Sequence, residues 1–131
     1  MTPIPTLADA KRIVIKIGSS LISSGAEPRS QWLASVAADI AALHQSGAEI
    51  IIVSSGAVAL GRPRVGLGST ALSLEEKQAA AAAGQPLLMQ AWQQAFAAYS
   101  INVAQLLLTL EDSERRRRYL NARTTVMALL E

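Results

Sequence analysis

The sequence contains no cysteine, and this absence removes several kinds of chemistry at once. A chain without thiols has no disulfides, no thiolate metal ligands and no cysteine nucleophile. Histidine is almost absent too: the single His44 lies midway along an alanine-rich helical stretch, where we assign it no role. Aromatic residues make up 4% of the sequence. Because only Tyr119 stands near the basic run of residues 115–118, no nucleic-acid partner is expected for this portion.

The sequence also lacks membrane and export signals. No segment is long and apolar enough to span a bilayer, and the start, Met-Thr-Pro-Ile-Pro-Thr, has neither a basic leader nor an uninterrupted apolar core. The chain has 131 residues, 50% of them apolar, and a net charge of +2. We therefore expect a soluble, cytoplasmic, globular chain with no membrane partner. Because carboxylates closely precede residues 115–118, we interpret that arginine run as the solvated start of a helix.

Apolar runs alternate with helical patterns along the first half of the chain. Residues 12–17 and 49–53 are apolar runs typical of strands, and apolar residues recur at helical spacing over residues 31–45 between them. A strand, a helix and a strand in this order predict two parallel strands joined by a crossover helix. The unbroken apolar character of residues 49–53 indicates a strand that is covered on both faces.

The second half of the chain predicts further helices and one more strand. Gly84 and Pro86 are expected to interrupt or kink a long alanine-rich helix whose aromatic residues we interpret as core packing. Because three strands make a narrow sheet, we predict an α/β fold that forms part of a larger domain; the alternative is a small complete three-stranded domain. The predicted elements are a helix starting at Ala57, a loop over residues 61–70, a long helix with Ser73 as its cap that runs through the alanines of residues 79–83 to Tyr99, a third strand over residues 102–109 and a last helix over residues 119–130.

Glycine and polar residues follow the first two strands directly. Lys16 lies inside the first apolar run, Gly18 and Ser19 follow it, and Ser55 and Gly56 follow the second run. The carboxyl ends of parallel strands meet at the edge where open sheets bind ligands, and ammonium, hydroxyl and free amide groups suit an anion such as phosphate. The other interpretation is a solvent-facing lysine before an ordinary turn. Because the glycine patterns of P-loops and dinucleotide folds are absent, a nucleotide site here would be of another type.

Four pieces of sequence carry a family resemblance: VIKIGSS at residues 14–20, VSSGAVALGR at residues 53–62, KQAAAAAGQ at residues 77–85 and YLNAR at residues 119–123. Together they resemble the amino-terminal part of the glutamate 5-kinases, which are enzymes of the amino acid kinase family. The turn Ser-Ser-Gly-Ala after the second strand is the discriminating piece, since acetylglutamate and uridylate kinases have a glycine-rich turn there. The resemblance implies a three-layer α/β sandwich with a mainly parallel sheet, incomplete in this chain. Residues 1–11 would be an amino-terminal extension and residues 12–131 the amino-terminal portion of the kinase domain.

The resemblance also implies an activity, namely ATP-dependent phosphorylation of the side-chain carboxylate of L-glutamate in the first step of proline biosynthesis. Mg²⁺ would accompany ATP, and proline would be a feedback inhibitor. No residue of this chain matches a metal ligand of the family. The residues that match functional positions are Lys16 as the catalytic, ATP-binding lysine, Gly18 and Ser19 as the ATP-binding cradle beside it, and Ser55, Gly56 and Ala57 as the glutamate-binding turn.

Several elements of the family lie outside the match. They include an Asn-Glu-Asn-Asp segment, a second phosphate-binding lysine and the adenine-binding half of the domain. We therefore expect little or no kinase activity from this chain alone. For the full-length enzyme, the resemblance implies a homo-oligomer. Two alternatives stay open: an enzyme of the same fold with another acceptor, such as phosphate or carbamate, against which Ser55 argues, or a non-catalytic module that binds or dimerises through its alanine-rich helix.

Overall fold

The computed structural model describes residues 6–131, so residues 1–5 of the predicted extension lie outside the described part. Its strands are β1 (Arg12–Ile17), β2 (Ser23–Ser24), β3 (Glu27–Pro28) and β4 (Glu49–Ser54), and its α-helices are α1 (Ser19–Ile22), α2 (Ser30–Gln45), α3 (Ala57–Gly61), α4 (Leu74–Ala97), α5 (Leu110–Glu114) and α6 (Arg116–Leu130). Two 3-10 turns, Leu7–Asp9 and Pro63–Val65, complete the described secondary structure.

The main sheet pairs β1 with β4 in parallel, as the order of strand, helix and strand predicts. Ile13 and Ile17 on β1 are buried against the helices, whereas Val14 on the opposite face is 60% exposed. Val53 on β4 is 50% exposed on that same face, because it lies beside Lys16 in the register. The expectation that this strand is covered on both faces is therefore wrong. The α/β class with a parallel sheet is confirmed.

Helix α2 confirms the helix predicted over residues 31–45, beginning one residue earlier at Ser30. Its buried face consists of Leu33, Ala37, Ile40 and Ala41. Trp32 and Val36 are only partly buried and pack at the margin of the core. The helix thus packs through a face of two large and two small apolar residues, and Leu33, Ala37 and Ile40 of this face belong to the core cluster that also contains residues of α4.

Helix α4 begins with a capping box, since the backbone N–H of Glu76 donates to Ser73 Oγ at 3.3 Å and that of Ser73 donates to Glu76 Oε2 at 2.8 Å. The prediction that Ser73 caps this helix is therefore confirmed, and the helix begins at Leu74. The helix continues through Gly84 and Pro86 without interruption. Trp92 and Phe96 lie in the core, with ring centroids 5.9 Å apart, which confirms that the aromatic residues are core packing.

The predicted third strand over residues 102–109 is wrong, because these residues form no strand in the structure. Leu107 is 75% exposed and Leu108 is 60% exposed. An apolar run becomes a strand only where its backbone groups can pair with a neighbouring strand, and in the described residues this segment pairs with neither β1 nor β4.

The arginine run opens a helix, as predicted. α6 begins at Arg116, and Arg118 reaches back to Glu111 at 3.0 Å. These side chains are exposed, so we give the ion pair little weight in stability. Across residues 6–131, no helix has both the length and the hydropathy that a membrane crossing needs.

Candidate functional site

The register of the main sheet brings the ends of β1 and β4 together. Ile17 pairs with Ser54, and the next amide along β4, that of Ser55, donates to the carbonyl of Ile17 at 2.9 Å. The segments that begin at Gly18 and Ser55 therefore leave the sheet side by side. The prediction that the two strand ends share one edge is confirmed.

Lys16 lies on the exposed face of β1, beside Val53. Among residues 6–131, no hydrogen bond or ion pair engages its ammonium group. Arg12, at the other end of the same face, is instead held by Glu49 at 2.6 Å. Both interpretations of Lys16 require an exposed side chain, so its contact with phosphate stays a prediction.

Gly18 is the N-cap of α1, and nothing in the fold requires a glycine there. Its φ of −77° is open to any residue, and a Cβ built on it would meet no heavy atom within 4 Å. Ser19 and Ser20 follow in the first turn of α1 and are exposed. The backbone beside Gly18 is thus open to the close approach of another molecule.

The turn after β4 packs against α1. Gly56 has φ of 116°, which favours glycine, and a Cβ there would lie 2.8 Å from Cγ2 of the fully buried Ile22. The predicted helix follows at Ala57. Within the described residues, no hydrogen bond uses the amide N–H of Gly56 or Ala57. These two donors are therefore unpaired in the described part of the chain; Gly56 is buried and Ala57 half-buried, and the exposed side chain of Ser55 lies beside them.

Two residues behind this turn were not identified from the sequence. The indole N–H of Trp92 donates to Ser54 Oγ at 3.2 Å, and Ser54 Oγ donates to the carbonyl oxygen of Ser55 at 3.0 Å. Because a core tryptophan needs an acceptor for its N–H, the sequence could have predicted that Trp92 donates a hydrogen bond to a neighbouring residue. It could not have predicted which residue accepts that hydrogen bond.

Taken together, the two strand ends present one cation, several hydroxyls and free backbone amides, which suit anionic groups. A group of three or more histidine, aspartate or glutamate side chains placed to hold a metal ion does not occur in residues 6–131.

Comparison with known proteins gives a consistent result. The model of the amino acid kinase family matches residues 11–131. Glutamate 5-kinase from Paramagnetospirillum magneticum is 59% identical over 127 residues, which are 95% of this chain and 34% of that protein. The glutamate 5-kinases of Rhodopseudomonas palustris strain BisB5 and of Gluconobacter oxydans are each 55% identical over 129 residues, 97% of this chain and 34% of theirs. The chain thus spans about a third of the length of these curated relatives.

Proposed function

The chain belongs to the amino acid kinase family, and we propose that it forms the amino-terminal part of a glutamate 5-kinase. The reaction would transfer a phosphoryl group from ATP to the side-chain carboxylate of L-glutamate, giving glutamyl 5-phosphate for proline biosynthesis in the cytoplasm. The observation that carries this proposal is the register of β1 and β4, which sets the strand end of Lys16 beside that of Ser55. Two adjacent anion-binding turns are what a transfer between two anions requires.

The chemistry needs little covalent help from the protein. A carboxylate is already a nucleophile at neutral pH, so no general base is required, and the site must neutralise charge and align the two reactants. Bound ATP, accompanied by Mg²⁺, supplies the phosphoryl group. The free ammonium of Lys16 would stabilise the negative charge on the transferred group, which makes Lys16 the proposed catalytic residue.

The open backbone at Gly18 suits the phosphate side of this site. The space beside its Cα would admit a phosphate oxygen that a side chain would exclude, and Ser19 adds a hydroxyl donor. On the other strand end, Ser55 and the free amides of Gly56 and Ala57 would bind the carboxylates of glutamate. These assignments follow the family resemblance, and the geometry is compatible with them.

For the 131-residue chain alone we propose little or no kinase activity. The two turns bring a single cation, Lys16, to a reaction in which several negative charges must be held together. Glutamate-dependent ATP turnover by the isolated chain at an ordinary enzyme rate would contradict this part of the proposal. A homo-oligomer and feedback inhibition by proline are proposed for the full-length enzyme only.

A chimera tests the assignment. Residues 11–131 would replace the matching third of the P. magneticum glutamate 5-kinase, and glutamate-dependent ATP turnover would be measured. Lys16→Ala should lower kcat by about 10²- to 10³-fold, as for loss of one charge-stabilising donor. Ser55→Ala should chiefly raise KM for glutamate.

Matched controls come from the same chain. Lys11→Ala removes a lysine at the opposite end of β1, and Ser35→Ala removes an exposed serine of α2, so neither should change the kinetics. A chimera without glutamate-dependent turnover would refute the proposed function. Equal effects of Lys16→Ala and Ser55→Ala on both substrates would refute the separate roles.

A further inference from the structure

Ser54 is the last residue of β4 and faces the core. It pairs with Ile17 and shares its face of the strand with the partly buried Ile50 and Ile52. Its side chain therefore points towards α4, away from the exposed face that carries Lys16. A serine on this face needs partners for its hydroxyl, and it finds two.

The first partner is Trp92. This indole is 4% exposed and stacks on Phe96, so its N–H has no access to bulk water and must donate within the protein. It donates to Ser54 Oγ at 3.2 Å. An alanine at position 54 would leave this buried donor without that acceptor, and the pairing therefore holds both side chains in place.

The second partner is the carbonyl of the next residue. A hydroxyl has one proton, and with Trp92 occupying an acceptor position, Ser54 directs that proton to the carbonyl oxygen of Ser55 at 3.0 Å. Because the peptide between Ser55 and Gly56 is planar and trans, the Gly56 N–H points opposite to this carbonyl. Fixing the carbonyl towards Ser54 thus aims the Gly56 N–H away from it.

Within the described residues, no backbone hydrogen bond of the turn engages this peptide. The N–H of Ser55 is held by Ile17, and the carbonyl of Gly56 accepts from Leu60 at 3.0 Å, but these bonds lie on either side of the peptide plane in question. Glycine tolerates both signs of φ, so the backbone torsions of Gly56 do not themselves prevent a flip of the peptide that precedes it. In the described residues, the hydroxyl of Ser54 supplies the hydrogen bond that opposes such a flip.

We propose that Trp92 and Ser54 are positioning residues for the substrate turn, acting in series: the indole orients the Ser54 hydroxyl, and the hydroxyl orients the Ser55–Gly56 peptide so that the Gly56 N–H faces the carboxylate. The assignment of the carboxylate rests on the proposed function. The orientation of the peptide does not, and it can be tested without any substrate.

The first experiment measures the turn itself in the full 131-residue chain. Amide NMR spectra and backbone order parameters would be compared for the wild type, Ser54→Ala, Ser54→Thr and Trp92→Phe. Ser54→Ala and Trp92→Phe should shift the Gly56 and Ala57 amide signals and lower the Gly56 order parameter, whereas Ser54→Thr, which keeps a hydroxyl, should restore both. Ser46→Ala removes a hydroxyl that donates to the Leu43 carbonyl at the end of α2, before β4 begins, and should leave the turn unchanged. If Ser54→Ala leaves the Gly56 amide signal and order parameter unchanged, the proposal is overturned. If Trp92→Phe leaves them unchanged, Trp92 is not a positioning residue.

The second experiment uses the chimera. Ser54→Ala should raise KM for glutamate about fivefold, as for one misplaced hydrogen bond, with KM for ATP unchanged and recovery in Ser54→Thr. A purely structural defect would reduce the amount of active enzyme and change neither KM. A KM for glutamate that is the same in Ser54→Ala as in the unmutated chimera would therefore overturn the substrate role. If the unmutated chimera lacks glutamate-dependent turnover, the proposed function fails, and the NMR comparison still decides whether the turn is positioned by Ser54.

Discussion

Replacing Gly84 by alanine should reverse the usual effect of this substitution in a helix. Inside an exposed helix, alanine in place of glycine stabilises by about 1 kcal/mol. Gly84 lies in the interior of α4, but a Cβ built on it would lie 2.6 Å from the backbone nitrogen of Gly61 and 2.8 Å from the carbonyl carbon of Ala57, overlapping the Ala57 oxygen. The two helices touch backbone to backbone at this crossing, with no side chain between them that could move aside.

The size of the effect follows from the distance that must be gained. Nonbonded heavy atoms prefer about 3.5–4.0 Å, so α3 and α4 would have to separate by about 1–2 Å, the larger value being set by the overlap with the Ala57 oxygen. A gap of this size forfeits about half or more of each dispersion contact that it opens. Leu60 and Ala80 are fully buried and Leu88 is 3% exposed, so the residues near the crossing have closely packed contacts to lose.

We therefore expect Gly84→Ala to destabilise the chain by about 2–3 kcal/mol, after the helical gain of alanine is counted. For a chain of this size the melting temperature should fall by about 10 °C. Thermal and urea unfolding followed by far-UV circular dichroism would measure both. Gly68→Ala is the matched control, because a Cβ there meets nothing within 4 Å, and its stability should stay within about 0.5 kcal/mol of the wild type. A Gly84→Ala chain that melts at or above the wild-type temperature would refute the reasoning.

Three other substitutions give independent checks. Gly56→Ala should destabilise by about 1–3 kcal/mol through its left-handed φ and its overlap with Ile22, and a wild-type urea midpoint would contradict this. Gly18→Ala should leave the melting temperature within about 2 °C of the wild type but raise KM for ATP in the chimera, so an unchanged KM would argue against a phosphate there. The pKa of Asp112 is lowered, chiefly by the hydrogen bond from the backbone N–H of Thr109 and secondly by the one from the Thr109 hydroxyl. The stabilisation of α5 by Asp112 is therefore complete above the ordinary aspartate pKa and is lost as pH falls through the lowered pKa. Thr109→Val should raise the pKa of Asp112 in an NMR titration, and an unchanged value would contradict the assigned cause.

The elements that could be predicted from the sequence have local causes. β1, α2 and β4 are each marked by a run or period of apolar residues, and α4 by the capping pattern of Ser73 and Glu76. The parallel register also followed, because a strand, a helix and a strand in this order allow few other arrangements. These signals were sufficient to place the two strand ends at one edge of the sheet.

The failures concern pairings that no local pattern specifies. Residues 103–108 have the composition of a strand, but a strand also needs a partner, and the partner is a property of the whole fold. In the same way, an alanine-rich helix indicates close packing in general. It does not say that Gly84 meets Gly61, 23 residues away, or that the indole of Trp92 reaches Ser54. The residues that support the candidate site were missed for this reason.

The glycines near the site distinguish what the fold requires from what a ligand would require. The fold requires Gly56 because of its positive φ and its contact with Ile22, and it requires Gly84 because two helices cross there. A stability measurement should therefore detect the substitution of either glycine. Gly18 has an ordinary φ and open space around its Cα, so the fold does not require a glycine at this position. If position 18 needs a glycine, the need comes from a molecule that approaches this backbone from outside the chain. A binding defect without a stability defect in Gly18→Ala would thus place that molecule at the end of β1, beside Lys16. A stability defect would instead show that the fold requires Gly18, and the case for a phosphate there would then rest on Lys16 and Ser19.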